Sequence, residues 1–339
     1  MPPSPDILVI GAGVLGLCTA VELTRRGHAV TVIDPGGPNA SSVAAGMIAP
    51  AMETLADLRS PEVAADHSRL FRAARDLWPA FAEPLGIALH RDGAEWRGGD
   101  PDAVRDILRR REFEVGPSNP PFTPEDWRLD AADALARMSD VAAITRRRAT
   151  ALSLTPTGPG WAVALDDGEV LEASTVVLAT GAVSALAVPE AVRRLLDRIT
   201  PIRGQLAFTA ARLADLVVRG EDGYVAPAAG GSLIGATMES GRTDLKPDLV
   251  RGAALAQGCL AMLGVDPPPP LEWRVGVRGA TPDGLPMAGS ACTVELHLAV
   301  GPRRNGWMLG PLVARIVADG IEGRALGPHA AALDPLRFS

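Results

Sequence analysis

The stretch DILVIGAGVLGLCTAVELTRRGHAVTVIDP, opening at Asp6, leaves a chain little choice of fold. Ile7 to Ile10 is an all-apolar run that reads as a buried strand, and Gly11, Gly13 and Gly16 follow in G-x-G-x-x-G register. Leu17, Ala20, Val21 and Thr24 then recur at helical spacing, Gly27 stops the helix, and Ala29 to Ile33 form a second strand ending on Asp34. The three glycines have separate roles, with a tight turn at Gly11, room for a diphosphate at Gly13 and close packing of helix on sheet at Gly16. The helix N-terminus turns unpaired N–H groups and a positive dipole end toward the phosphates. Asp34 is placed to accept hydrogen bonds from a ribose. The unit predicts a bound dinucleotide, and by itself it does not separate a nicotinamide from a flavin.

The remaining chain excludes several classes of partner. Its 339 residues predict one large domain or two intertwined ones. A net charge of -7 with scattered basic residues gives no footprint for nucleic acid or an anionic membrane. Cys18, Cys259 and Cys292 lie far apart without a C-x-x-C spacing, so no disulfide framework or zinc site is expected and a reducing cytoplasm fits. The apolar run Ile7 to Val21 is shorter than the roughly 20 residues that span a bilayer, and no positive residue precedes it. The expectation is a cytoplasmic protein that binds no membrane, with homo-oligomers left open. His28, His67, His90, His297 and His329 are isolated, no H-E-x-x-H, G-x-S-x-G or P-loop occurs, and no metal site is expected. Arg146-Arg147-Arg148 reads as a solvated turn, and Asp266 to Pro270 as a stiff connector after a helix over Val250 to Leu263. No internal repeat is found.

One residue stands out against the composition. The chain holds a single tyrosine, Tyr224, and a single lysine, Lys246, among abundant Arg, Ala, Gly and Pro. Such a bias would fill a core with Phe, Leu or Trp as readily, so a lone tyrosine hints that its hydroxyl matters. The same bias devalues any isolated arginine. Taken alone, Tyr224 reads as a core aromatic and Arg278 as a solvated strand arginine.

Downstream blocks decide between the cofactors. ASSVAAGMIAP follows the second strand at Ala40, and an alternating segment, Ala151 to Leu171, reads as antiparallel strands with TPTGPG and DDG turns. TVVLATGA at Thr175 then forms another apolar strand. Together with TPIRGQ at Thr200, YVAP and GATM after Tyr224, VGVRGATPDGLP at Val275 and RRNGWMLGP at Arg303, these blocks resemble the FAD-dependent D-amino-acid oxidase and glycine oxidase family from end to end. The resemblance implies an α/β fold of the two-dinucleotide-motif flavoprotein type. In it, a Rossmann-like FAD-binding domain (1–83, 128–198 and 292–339) interleaves with an antiparallel-sheet α+β substrate domain (84–127 and 199–291).

It also implies roles. Tyr224 and Arg278 match the residues that hold the substrate carboxylate over the flavin, Met238 a residue of the same pocket, and Arg304 a position close to flavin and substrate; alone, Arg304 is equally a surface arginine beside Arg303. Cofactor contacts fall to Gly11, Gly13, Gly16, Asp34, Ala45, Gly46, Met47, Thr180, Gly181, Gly204, Arg304, Asn305, Gly306, Trp307 and Met308. The helix over Asn305 to Ala318, preceded by the strand ELHLAV, would point its N–H groups at the flavin C2 carbonyl. Two positions depart from the family: Gly279 stands where many relatives have proline, and Pro302 where many have histidine, which leaves specificity open. The position of the covalent cysteine in the sarcosine-oxidase branch falls at about Gly276, so FAD is expected to be noncovalent.

The expected activity is FAD-dependent oxidative deamination of glycine, sarcosine-like amines or small D-amino acids. The products are a keto acid, ammonia and hydrogen peroxide, as in bacterial thiamine biosynthesis. A dehydrogenase of D-amino or imino acids that passes electrons to a quinone or another carrier keeps the same fold. A flavin-binding protein without turnover is a different class, disfavoured by retention of both clamp residues. A nicotinamide dehydrogenase is opposed by the AAGM and ATG blocks.

Overall fold

Ile7–Ile10 is buried at every residue because it has parallel neighbours on both edges, Val30–Ile33 on one side and Thr175–Leu178 on the other. The structure, a computed structural model, describes residues 7–55, 60–182, 185–291 and 295–339. Six strands form the sheet around this centre, in the order Met287–Ser290, Leu296–Val300, Thr175–Leu178, Ile7–Ile10, Val30–Ile33, Ile144–Arg147, and only the first runs antiparallel to its neighbour. Alternate side chains sort to the two faces. Ile7 and Val9 pack beneath the helices Val14–Arg25 and Gly306–Ile321, while Leu8 and Ile10 pack with Leu154, Trp161 and Val163 of an antiparallel meander. That meander, Ala151–Pro156, Trp161–Leu165 and Val170–Ala173, occupies the segment whose alternation predicts it.

Two expectations need revision. Ile144–Arg147 is the edge strand of the six-stranded sheet rather than a turn, and Arg147 is held there by Asp167 and Glu169 from the tip of the meander. Met287–Ser290 pairs with Leu296–Val300, so the chain returns to the six-stranded sheet before residue 291. Cys292 lies outside the described residues.

The second sheet is antiparallel except where Val217–Arg219 meets Ala94–Trp96. Thr200–Thr209 is its spine, paired along nearly its whole length with Glu272–Ala280 on one edge and with Gly231–Gly235 and Glu239–Ser240 on the other. Tyr224–Ala228 and Val217–Arg219 follow in turn. Helix Leu249–Ala261 covers one face through Ala256, Cys259 and Leu260. The opposite face, bearing Leu206, Ala226 and Leu233, meets Ala45, Ala49 and Met52 from the segment after the second strand. The loop that leaves the dinucleotide unit is therefore sandwiched against the antiparallel sheet. No helix of the described residues is long and apolar enough to cross a membrane.

Candidate active site

The glycine turn is built by close backbone contacts. Gly11 has φ +111°, and a Cβ there would lie 2.3 Å from the Ala179 carbonyl oxygen on the neighbouring strand. A Cβ on Gly16 would lie 2.0 Å from the Gly11 carbonyl oxygen, which leaves no room for a side chain between helix and turn. Gly13 differs. Its backbone is extended (φ -74°, ψ 178°), and the nearest atom to a built Cβ is Ser41 Oγ at 3.3 Å. Among the described residues only the Ser41 hydroxyl, which accepts from the Val14 N–H at 3.0 Å, crowds that position, so the glycine fits close approach of a ligand phosphate to the helix N-terminus. Asp34 Oδ2 accepts from the Ala12 N–H at 2.7 Å and Oδ1 from the Gly36 N–H at 2.7 Å, which fixes the carboxylate at the mouth of a cleft lined by Ala12, Asn39 and Arg148.

A cavity of about 520 Å3 lies between the antiparallel sheet and the Ala44–Met47 segment. Of the sequence-predicted residues, it gathers Ala45, Gly46, Met47, Tyr224, Met238, Arg278, Arg304, Asn305 and Trp307. Two glycines lie beneath side chains that line it. A Cβ on Gly204 would meet Arg278 Nη1 at 2.1 Å, and one on Gly235 would meet the Tyr224 hydroxyl at 2.5 Å. The guanidinium thus lies across the central strand, the phenol lies across the next, and the pairing of Tyr224 with Gly235 keeps both on one face. Arg278 Nη1 donates to the Thr237 carbonyl at 3.3 Å. Burial lowers its pKa, with Arg304 and Arg303 adding repulsion, while Tyr224 is pushed up to about 12 by burial and stays a phenol at neutral pH. Met238 is 40% exposed at the cavity mouth.

Other predicted residues serve at a distance. Gly181, with φ +74°, and Ala182 pack against Gly279, where an added Cβ would come within 3.2 Å of both. Glycine at 279 therefore joins the Thr180-Gly181 turn to the strand that carries Arg278. Gly276 is packed in the same manner against Ala40 and Val43. Pro302 bridges Ala280, and the Arg303 N–H donates to the Gly279 carbonyl at 2.8 Å, fixing the loop that presents Arg304. The helix Gly306–Ile321 begins after Asn305 without a side-chain cap on its first N–H groups. Met308 is buried in the core beside Trp78, which donates to the Trp307 and Met308 carbonyls at 2.8 and 3.3 Å.

Sequence reasoning missed an ion-pair cluster. Glu53 is 8% exposed; its Oε2 accepts from Arg304 Nε at 2.5 Å and its Oε1 from Arg219 Nη2 at 3.0 Å. Burial raises its pKa, yet Arg304 and Arg219 hold the carboxyl below the ordinary range. Asp126, pushed up to about 7 by burial, accepts from the Ala51 and Met52 N–H groups and anchors the start of the short helix Pro50–Leu55 that carries Glu53. The signals were local. Glu53 lies less than one helical turn beyond AAGMIAP, and Arg219 is the cross-strand partner of Tyr224 across the Gly220–Gly223 turn.

A glycine turn at the head of a parallel sheet thus stands beside a cation-lined cavity over an antiparallel sheet. The chain belongs to the FAD dependent oxidoreductase (DAO) family, whose model matches residues 6–320. Glycine oxidase from Geobacillus kaustophilus (strain HTA426) is 28% identical, covering 94% of this chain and 93% of that one. The crystal structure of glycine oxidase from Geobacillus kaustophilus superposes with TM-score 0.80 at 26% identity, over 99% of this chain and 98% of that one. The bifunctional protein ThiO/ThiG of Trichormus variabilis is 30% identical over 93% of this chain and 52% of its own length. The tRNA 5-methylaminomethyl-2-thiouridine biosynthesis bifunctional protein MnmC of Caulobacter sp. (strain K31) is 29% identical over 100% of this chain and 58% of its own. The chain thus spans little more than half the length of these bifunctional relatives.

Proposed function

We propose that this protein oxidises the amine of a small amino acid, glycine, an N-alkyl glycine or a D-amino acid, to the imine, and passes the electrons to dioxygen. The supporting observation is the paired placement of the Arg278 guanidinium over Gly204 and the Tyr224 hydroxyl over Gly235, facing the Ala45–Met47 loop. A guanidinium presents two parallel donors to a carboxylate and the phenol a third. Held by that end, the substrate would turn its α-carbon and amine toward the loop, and Met238 would limit its side chain.

FAD, when bound, supplies the two-electron acceptor. Two electrons and two protons leave the amino acid; the C–H bond breaks as the nitrogen lone pair forms the C=N bond, and water then hydrolyses the imine to the keto acid and ammonia, or to glyoxylate and the alkylamine from an N-alkyl glycine. No histidine lines the cavity among the described residues, and Glu53 is tied on both oxygens. In this reading the substrate enters with its amine neutral, Glu221 and Asp222 stay at the exposed rim, and catalysis is positioning and electrostatics. In this reading the six-stranded sheet with its meander forms the noncovalent FAD domain and the antiparallel sheet the substrate domain. A role in supplying thiamine biosynthesis is consistent with the ThiO/ThiG relative.

An anaerobic screen of glycine, sarcosine, D-alanine and D-proline, followed by admission of air, tests this. Bleaching of the flavin by at least one amine, and peroxide equal to the amine consumed, is the expected result. Bleaching with slow reoxidation in air and fast reoxidation by a quinone would make the protein a dehydrogenase.

A further inference from the structure

The cavity holds more positive charge than one carboxylate uses. Arg219, Arg278 and Arg304 all line it, and Glu53 is the buried carboxylate among them. Glu221 and Asp222 also border it, but both sit at the exposed rim where water screens their charge. Glu53 engages Arg304 with one oxygen and Arg219 Nη2 with the other. Arg219 Nη1 is buried and has no hydrogen-bond partner among the described residues. Its side chain is 11% exposed, so the missing partner is not bulk solvent.

Position gives that vacant donor a direction. Arg219 is directly opposite Tyr224 in the Val217–Arg219 and Tyr224–Ala228 pair, so the two side chains share one face. Tyr224 is in turn opposite Gly235, whose missing side chain leaves the hydroxyl reaching toward the Arg278 side. The phenol therefore has a guanidinium on each side. Arg278 comes from the far edge of the sheet and Arg219 from the strand on the other flank. Glu53, rooted in a helix pinned by Asp126, fixes the Arg219 fork so that Nη1 cannot swing away to solvent.

We propose that Arg219 recognises a second acidic group on the substrate, so that the amine oxidised here belongs to an amino- or imino-dicarboxylic acid. The inference rests on the reading that Arg278 and Tyr224 hold the first carboxylate. A second anionic group spanning the tyrosine would satisfy the open Nη1 and match the remaining buried charge. A neutral side chain of the same size leaves that donor unpaired, which is how a site built for one polar group rejects its apolar analogue.

The test uses the FAD-loaded protein under anaerobic conditions and compares flavin reduction by iminodiacetate against sarcosine and by D-aspartate against D-alanine. The dicarboxylic member of each pair should be more efficient by on the order of tenfold or more. Arg219→Gln should bring that ratio toward one, and Arg219→Lys, which keeps charge without the fork, should fall between. If Arg219→Gln loses FAD, the Arg219→Lys ratio carries the same comparison. In parallel, malonate and acetate are titrated against the flavin absorption spectrum as unreactive probes. Tighter malonate binding in the parent, lost in the variant, supports the second acidic subsite even if no amine bleaches the flavin, in which case only the oxidase reading fails. Equal efficiencies within both pairs, or a ratio that Arg219 variants leave unchanged, overturns the proposal while leaving the oxidase reading intact.

Discussion

The glycine turn around Gly11 and the cavity around Arg278 meet opposite physical demands. The turn presents backbone, and on the proposed reading it binds through it. Its specificity lies in what is missing, because a Cβ on Gly11 or Gly16 would lie 2.3 or 2.0 Å from a carbonyl oxygen. The cavity presents long side chains, and Gly204 and Gly235 beneath them leave room for Arg278 and Tyr224 to lie flat across neighbouring strands. In the first region glycine makes room for the ligand or the fold; in the second it makes room for the residue that meets the ligand. A substitution in the turn should therefore act on cofactor binding or folding, and one in the cavity on substrate handling with FAD still in place.

The largest effects belong to the turn and separate its two kinds of glycine. Gly16→Val drives a side chain into the Gly11 carbonyl, so we expect no soluble folded protein. Gly13→Val meets only Ser41 Oγ at 3.3 Å and should fold, with its circular dichroism preserved, but without bound FAD. Full FAD occupancy in a folded Gly13→Val protein would break the distinction between ligand space and packing space.

Next come the cavity residues. Arg278→Leu strands a desolvated substrate carboxylate, a loss of about 3–5 kcal/mol, and should lower the efficiency of flavin reduction accordingly while FAD absorbance stays at one per chain. Arg278→Lys should fall between that variant and the parent. Tyr224→Phe removes one hydrogen bond to a charged group, about 1.5–3 kcal/mol, which reads as roughly ten- to hundredfold. Stopped-flow reduction against amino-acid concentration measures all three. If Arg278→Leu also loses its FAD, the two regions are not separable in the way the geometry implies.

The contrast also explains what could be read from the sequence. Turn glycines are a local code: position, φ and close approach all follow from a dozen consecutive residues, so the first strand, helix and second strand were legible at once. The meander was legible for the same reason, since alternation is local. The cavity is assembled from strands that meet only after folding. In TPIRGQ, Arg203 and Gly204 are adjacent, yet Arg203 is 0% exposed and bonded to Glu239, while Gly204 underlies Arg278 on the other face. Nothing in the local sequence ranks one arginine above another in a chain this rich in them. Arg219 and Glu53 escaped because their meaning depends on each other, 166 residues apart. Arg146 and Arg147 misled for the converse reason: charge suggested a turn, whereas an exposed edge strand tolerates arginines.

The smallest expected effect separates the two regions by acid. His297 lies in Leu296–Val300, the strand next to Thr175–Leu178 in the sheet that carries the glycine turn, and burial lowers its pKa to about 4. Its Nδ1 has no hydrogen-bond partner among the described residues, and attraction to Glu295 offsets only part of the cost of burying the charge. The folded value is below the unfolded one of about 6.5, so the unfolded chain binds more protons in between and stability falls as pH drops from about 6.5 to 4. Over that window the loss from this one group approaches about 2–3 kcal/mol. Glu53 has the same sign and a different window: its lowered pKa places its loss below the ordinary carboxylate range. Acting through His297, acid should weaken the sheet beneath the turn, releasing FAD, before the Glu53 ion pairs of the cavity open, while Asp126, raised to about 7 in the folded chain, acts with the opposite sign over the same window in both proteins compared. Urea midpoints at pH 7, 5.5 and 4.5, followed by flavin fluorescence, measure this. His297→Gln, which cannot take up the proton, should show a shallower fall than the parent across those values, whatever its stability at pH 7. Parallel slopes for the two proteins would move the acid-sensitive step out of the sheet beneath the turn and into the cavity.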